Sequence, residues 1–267
     1  LGADDFAGVS AILEGAASLL ESGATHPTLE LLFTTGEEHF CVGAKAFDAE
    51  RLQSKTAYVM DLSGPVGDCA VAAPTLITFS AEVVGKAAHA GFAPEDGVHA
   101  IQVAAAAVAN LPSGRWGDVT VNVGTITGGR ATNIVPDSCT VTGEIRALCH
   151  QDALDRLNEI HSEFVEQAQA VDAKLNFNHT IHITGYRVDT DAPVAQRFRR
   201  ACEAVGVAPR FTDTYGGSDC NILSAHGIQG LVVATAMNNC HAVNEYTTVE
   251  ELCKAGRLAQ ALMEKQD

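Results

Sequence analysis

Pro74-Thr75-Leu76-Ile77-Thr78-Phe79-Ser80-Ala81-Glu82-Val83 decides how the chain divides. Ile77, Phe79, Ala81 and Val83 alternate with more polar residues, the period of a strand with one buried face. Beyond it the pattern predicts a helix through Ile101 to Leu111, then strands at Val119 to Ile126 and Cys139 to Ala147. A long amphipathic helix carrying Leu154, Leu157, Ile160, Phe164 and Val165 leads to a last strand near Leu175 to Ile183. The order β-α-β-β-α-β is that of a ferredoxin-like α+β unit. On either side the character is different. Val9, Ile12, Leu13, Ala16, Leu19 and Leu20 recur at helical spacing, and Leu29 to Thr35 and Ala57 to Asp61 read as short buried strands. After the unit come a helix from about Ala192 to Val205 stopped by Gly206, a buried strand at Leu231 to Ala236, and a closing helix. Thr248-Val249-Glu250-Glu251 has the form of a capping box for that last helix, with Val249, Leu252, Ala255, Leu258 and Leu262 as its apolar face. The expected fold is therefore α/β, a largely parallel sheet in residues 1–73 and 187–267, interrupted by an inserted α+β domain at 74–186.

Composition narrows the function classes. With 267 residues, 46% of them hydrophobic, the chain can bury more than one core, as two domains require. Its 33 acidic against 17 basic residues give a formal charge of −16, which repels phosphate backbones and anionic lipid. Nucleic acid and membrane surfaces are therefore not expected partners. Eight cysteines, none in a C-x-x-C pair, fit free thiols in a reducing cytoplasm. No basic segment followed by an apolar stretch opens the chain, so no signal peptide is expected. Because Leu1 is followed at once by an acidic turn and a helical pattern, the natural protein is expected to begin further upstream.

The chemistry lies where strands end. In α/β folds ligands bind at the carboxyl ends of the strands, and acidic residues recur at those places here. Asp4 and Asp5 precede the first helix, Glu37 and Glu38 follow the strand ending at Thr35, and Asp61 closes the next strand. His241 lies shortly after the strand ending near Ala236. Taken singly, an Asp before a helix is usually an N-cap and a Glu pair after a strand is usually a solvated loop. Gathered together, such carboxylates repel one another unless cations neutralise them. Oxygen ligands with one imidazole suit zinc, with manganese or cobalt as alternatives.

Six stretches carry a more specific signal: Leu1-Gly2-Ala3-Asp4-Asp5-Phe6-Ala7-Gly8, Thr35-Gly36-Glu37-Glu38, Val59-Met60-Asp61, Gly85-Lys86-Ala87-Ala88-His89, Gly216-Gly217-Ser218-Asp219 and His241 to Glu245. Their order resembles the di-zinc metallopeptidase family that contains peptidase T, glutamate carboxypeptidase, aminoacylase and succinyl-diaminopimelate desuccinylase. Leu-Gly-Ala-Asp-Asp and Asn133-Ile134-Val135-Pro136-Asp137 look most like its peptidase T branch. The resemblance implies a zinc-peptidase-like catalytic domain, the inserted unit being a lid or dimerisation domain. It implies hydrolysis of amide bonds in short peptides, two Zn2+ per subunit and a homodimer formed through the lid. An N-acyl amino acid deacylase, or a noncatalytic homologue that keeps the fold, is the alternative.

Residue by residue, the resemblance implies that Asp4 bridges two metals, with a cis peptide to Asp5. Glu38 and His241 then bind one metal, Asp61 binds the other, and Glu37 is the general base. His89 reaches the active site of a partner subunit to stabilise the oxyanion. Asn133 and Arg146 form a substrate-binding pair, and Gly216 and Gly217 offer backbone to the substrate. Independently of the resemblance, the strand period places Arg146 with Thr142 and Glu144 on one face, where a guanidinium pairs readily with a carboxylate. Two departures stand out. Phe6 occupies a position where a lysine is common in the branch, and the family's His-x-Asp motif, expected upstream of Leu1, is not in this chain.

Overall fold

A computed structural model describes residues 2–265. The chain forms two compact units, one of residues 1–73 and 186–267 and one of residues 74–185.

Unit 1 begins with α1 (Ala3–Ser22), a short α2 (Val42–Ala46), β1 (Thr56–Ser63) and β2 (Asp68–Ala73). Unit 2 consists of β3 (Thr75–Val84), α3 (Ala100–Asn110), β4 (Gly114–Trp116), β5 (Val119–Gly128), β6 (Ser138–Ala147), α4 (His150–Gln169) and β7 (Lys174–Ile183). The chain returns to unit 1 with β8 (Tyr186–Arg187), α5 (Pro193–Ala204), β9 (Arg210–Asp213), α6 (Asp219–Ala225), β10 (Gln229–Met237) and α7 (Val249–Met263). The second boundary falls between Gly185 and Tyr186, because Tyr186 pairs with Ala73 in the sheet of unit 1.

That sheet runs β1-β10-β2-β8, with β9 also paired to β2. It is mixed: β1 with β10 and β2 with β9 are parallel, whereas β10 with β2 and β2 with β8 are antiparallel. β2 and β10 are buried almost throughout, the signature of strands covered on both faces.

The first helix buries a face that keeps Leu19 but leaves out the other two of its three leucines. Ala7, Gly8, Ala11, Gly15 and Leu19 are buried, whereas Leu13 is 52% and Leu20 74% exposed. Small residues win this face because α1 lies against backbone. A Cβ on Gly15 would stand 2.7 Å from the amide nitrogen of Gln260 on α7, and one on Gly8 would collide with the Met60 carbonyl on β1. Gly8 thus sets how closely the acidic start of α1 approaches the strand carrying Asp61.

Two further expectations are corrected. Leu29 to Thr35 forms no strand: no described strand pairs with it, and Leu31 and Phe33 are each nearly half exposed. At α7 only half of the expected capping box forms. Thr248 Oγ1 accepts from the Glu251 amide at 3.2 Å, but the Glu251 carboxylate turns to the Val66 amide and to Lys254 Nζ, a stronger charge-assisted partner.

In unit 2 the sheet order β4-β5-β6-β3-β7 is antiparallel throughout, so the four long strands follow the ferredoxin-like arrangement. Ile77, Phe79, Ala81 and Val83 of β3, with Cys139, Val141, Ile145 and Ala147 of β6, face one core with α3 and α4. Gly143 has no side chain because Phe79 and the Asn122 carbonyl fill that space. No described helix is long and apolar enough to cross a membrane, and all eight cysteines are free.

Helical glycine normally costs about 1 kcal/mol relative to alanine, so Gly→Ala in a helix usually stabilises. At Gly8 the sign should reverse, because overpacking against backbone costs about 1–3 kcal/mol. Gly8→Ala is expected to lower the melting temperature by several degrees. In Gly256→Ala on α7, where the new Cβ meets only the flexible Glu14 side chain at 3.2 Å, calorimetry should show no loss.

Candidate metal and catalytic site

Three separate segments of unit 1 bring Asp4, Glu38 and His241 together. One ligand atom from each lies within 4.8 Å of the others. His241 Nε2 stands 3.0 Å from Asp4 Oδ2 and 2.8 Å from Glu38 Oε1. One imidazole nitrogen therefore faces two carboxylate oxygens, although it has at most one proton to give. Oxygens and a nitrogen held by a single zinc ion at ~2.0–2.2 Å lie roughly 3–4 Å apart, a spacing these atoms already approach.

Each segment has its own local cause. Asp4 and Asp5 open α1 with non-helical backbone, and the peptide bond between them is cis. Asp5 Oδ1 accepts the Gly8 amide at 3.0 Å, the ordinary duty of an acid in a first helical turn. Asp4 is left to face His241. Glu37 and Glu38 sit in a single 3-10 turn, Glu37–His39, entered through Gly36 at φ 68° and left through Phe40 at φ 60°. His241, itself at φ 63°, rides on a loop closed by the Asn238–Tyr246 bridge just after β10.

Asp61 is not one of the three convergent groups. It lies within β1, where the pairing with β10 is irregular between Val59 and Leu62, rather than closing the strand as its sequence position suggests. Its electrostatic surroundings join it to the same cluster. Burial pushes its carboxyl up to about 8, and Asp5, Glu37, Asp4 and Asp219 add to the rise. Burial likewise raises Asp5 to about 7, helped by Asp4 and Glu37. Glu37 rises to about 7 through burial and then Glu38 and Asp219. Asp4 is raised by burial and Glu38, with His241 opposing. The charge of Glu38 in turn raises His241. Carboxylates that penalise one another's charge in this way fit a site completed by cations.

Sequence reasoning assigned no role to three groups at this place. Asp219, at the first position of α6, accepts a hydrogen bond from Thr34 Oγ1, while its Oδ1 is buried with no hydrogen-bond partner among the described residues. Cys41 Sγ lies 3.7 Å from Glu37 Oε1, and burial followed by Glu37 and Asp219 pushes its thiol upward. Glu245 accepts the amides of Gly2 and Asp4. The available signals were the acid following a glycine pair at a helix start and the acid four residues beyond His241.

The other expected residues are placed as follows. Gly216 donates its amide to Thr214 Oγ1 at 3.1 Å, in the turn before the Ser218–Asn221 capping box of α6. In unit 2, His89 and Asn133 lie on adjoining segments: His89 bridges to Ile134, and the Ala90 amide donates to the Asn133 carbonyl at 3.0 Å. His89 Nδ1 accepts from the Gly91 and Phe92 amides, which places the proton of the neutral ring on Nε2. Arg146 Nε pairs with Glu144 Oε1 at 2.9 Å, on the face shared by both residues.

Comparison with known proteins matches residues 71–172 to the Peptidase dimerisation domain and residues 2–82 to Peptidase family M28. The uncharacterized protein YqjE of Bacillus subtilis is 33% identical over 266 residues, covering 99% of this chain and 72% of that protein. The aminopeptidase PepT of Bacillus cereus is 37% identical, with a TM-score of 0.94 over 98% of this chain and 71% of its own. The chain belongs to the peptidase T-like branch of the M20 metallopeptidases. A tripeptidase of Staphylococcus aureus, 28% identical, matches this peptidase T-like fold with a TM-score of 0.95 over 98% of the chain and 70% of its own.

The crowding has a thermodynamic consequence with a definite sign. The folded Asp61 carboxyl titrates near 8 against an ordinary 3.8, so the folded state holds that proton more tightly. Asp61 therefore weakens the fold progressively as pH rises between those values. Asp61→Asn is expected to raise the melting temperature of chelator-treated protein, with a larger gain at pH 8 than at pH 4.

Proposed function

We propose that unit 1 is the catalytic domain and unit 2 the lid of a cytoplasmic di-zinc aminopeptidase acting on dipeptides or tripeptides. The observation that carries the reading is the convergence of Asp4, Glu38 and His241 beside the acids Glu37 and Asp61. The names of PepT and of the staphylococcal tripeptidase support the substrate class. Asp4 would bridge two cations, Glu38 and His241 would complete one set of ligands, and Asp61 would serve the other. Zinc fits these oxygen and imidazole donors, with manganese or cobalt as substitutes. Cations held there supply Lewis acidity, polarising a carbonyl and easing proton loss from a water.

Glu37 is assigned the proton work. It shares its turn with Glu38, so one side chain can bind while its neighbour takes a proton from the attacking water and passes it to the leaving amine. Arg146 and Asn133 are assigned to substrate binding, and Gly216 and Gly217 to close backbone approach. His89, with Nδ1 occupied by backbone amides, offers Nε2–H as a donor to the oxyanion of a partner subunit's site.

Dimerisation through unit 2 accompanies this assignment. Among the described residues β7 pairs only with β3 and leaves an edge, and α3 exposes Ala105, Ala106 and Ala109, small enough for another backbone to come near. A second copy covers both features.

In the full-length natural protein, Glu37→Gln should keep its zinc content by elemental analysis while kcat for a tripeptide falls by at least ~10²-fold. Unchanged turnover removes Glu37 from the role. Mixing inactive His89→Ala and Glu37→Gln proteins should restore one competent site per heterodimer. A monomeric mass in solution, or no recovery after proven subunit exchange, counts against a shared site.

A further inference from the structure

We propose that Glu245 is a positioning residue that sets Asp4 against His241, and that the metal affinity of the site depends on it. The inference rests on the metal-site reading above and adds to it a group that touches none of the reacting atoms. Glu245 Oε2 accepts the Gly2 amide at 2.8 Å and Oε1 accepts the Asp4 amide at 2.8 Å. These contacts join positions more than 240 residues apart in the chain.

Their physical basis is the start of α1. The first amides of a helix lack partners within it and favour a negative charge. Gly2, at the N-cap, has no side chain to supply one. An Asp in the first turn would normally bend back to cap, and Asp5 does so at Gly8. Glu245 takes the Asp4 amide from outside the helix. The Asp4 carboxylate is thereby spared for His241 and Glu38.

The same loop carries both partners of Asp4. The Asn238–Tyr246 bridge closes it, and the Ala242 amide to Asn239 and the Glu245 amide to Ala242 tighten it inside. His241 meets the Asp4 side chain while Glu245 grips the Asp4 backbone. Residue Asp4 is therefore fixed at two points by one short closed segment, and the separation of Asp4 from His241 becomes a property of that segment. The arrangement is an outer shell to the metal ligands, and removing such partners typically costs ~10–100-fold in affinity.

The test uses the full-length natural protein, Zn2+ competed against a chromophoric chelator, and the visible spectrum of the Co2+-substituted protein. Glu245→Gln keeps one acceptor but turns an amino group toward the second amide. It is expected to weaken zinc binding about tenfold or more and to alter the Co2+ spectrum. Glu245→Asp keeps both acceptors on a shorter arm and should fall between wild type and Glu245→Gln. A purely structural Glu245 would lower the melting temperature of the metal-free protein and leave zinc affinity and the Co2+ spectrum unchanged, which overturns the proposal. Should Glu245→Gln fail to fold, Glu245→Asp decides alone: parity with wild type in both readouts overturns the proposal, and weaker zinc binding supports it. A wild-type protein that binds no zinc overturns the metal reading and this inference together, whereas unchanged affinity in the variants of a zinc-binding wild type overturns this inference alone.

Discussion

Like charges held close together in a half-buried place are the constraint around which unit 1 is organised. Asp4, Asp5, Glu37 and Asp219 each raise the proton affinity of Asp61, and Asp4 also raises that of Asp5 and Glu37. Nothing in their mutual interaction keeps them there, so the backbone must. Parallel β1 and β10 set Asp61 and the His241 loop at the same end of the sheet. The bare backbone at Gly8 lets α1 lie on Met60, one residue from Asp61. Left-handed backbone at Gly36, Phe40, Cys41 and His241 flanks the glutamate pair and holds the residue that carries the imidazole. Such conformations are uncommon for residues with side chains, and they collect where function requires an orientation that regular structure does not provide.

Adjacent acids show how little of a side chain's duty follows from its type. Asp4 and Asp5 differ by one position, yet one faces His241 and the other caps Gly8. Glu37 and Glu38 share one turn, yet Glu37 is drawn toward Cys41 and the buried acids while Glu38 is more than half exposed beside His241. Backbone direction makes the difference in both pairs. Consecutive residues diverge, in the 3-10 turn of the glutamates as at the non-helical start of α1, so one position can serve geometry and the next charge.

Unit 2 was legible in the sequence because its strands and helices repeat with distinct periods. The alternation Ile77, Phe79, Ala81, Val83 and the helical spacing of Leu157, Ile160 and Phe164 converge on one core. Unit 1 was legible at its acidic motifs and less so elsewhere. Leu13 and Leu20 misled because periodicity counts apolar residues, whereas the packed face of α1 is selected for smallness against α7 and β1. Leu29 to Thr35 has strand-like composition, but a strand exists only where a neighbouring ladder accepts its amides, and none among the described residues does. The capping role of Glu245 could not be read, because its donors lie at the opposite end of the chain.

The place of the insertion follows from the same sheet. Ala73 and Tyr186, the residues on either side of unit 2, are paired across an antiparallel ladder, as are Ala72 and Arg187. The chain therefore leaves and re-enters unit 1 at neighbouring points. Closing the ends of a long excursion costs little more than closing those of a short one, since the entropy grows only with the logarithm of its length. An independently folded unit with its own core relieves even that cost, because it holds its own ends. Here β3 begins at Thr75 and β7 ends at Ile183, and Leu76 pairs with Ile183. The same chain is thus clamped twice within a few residues, once by each sheet.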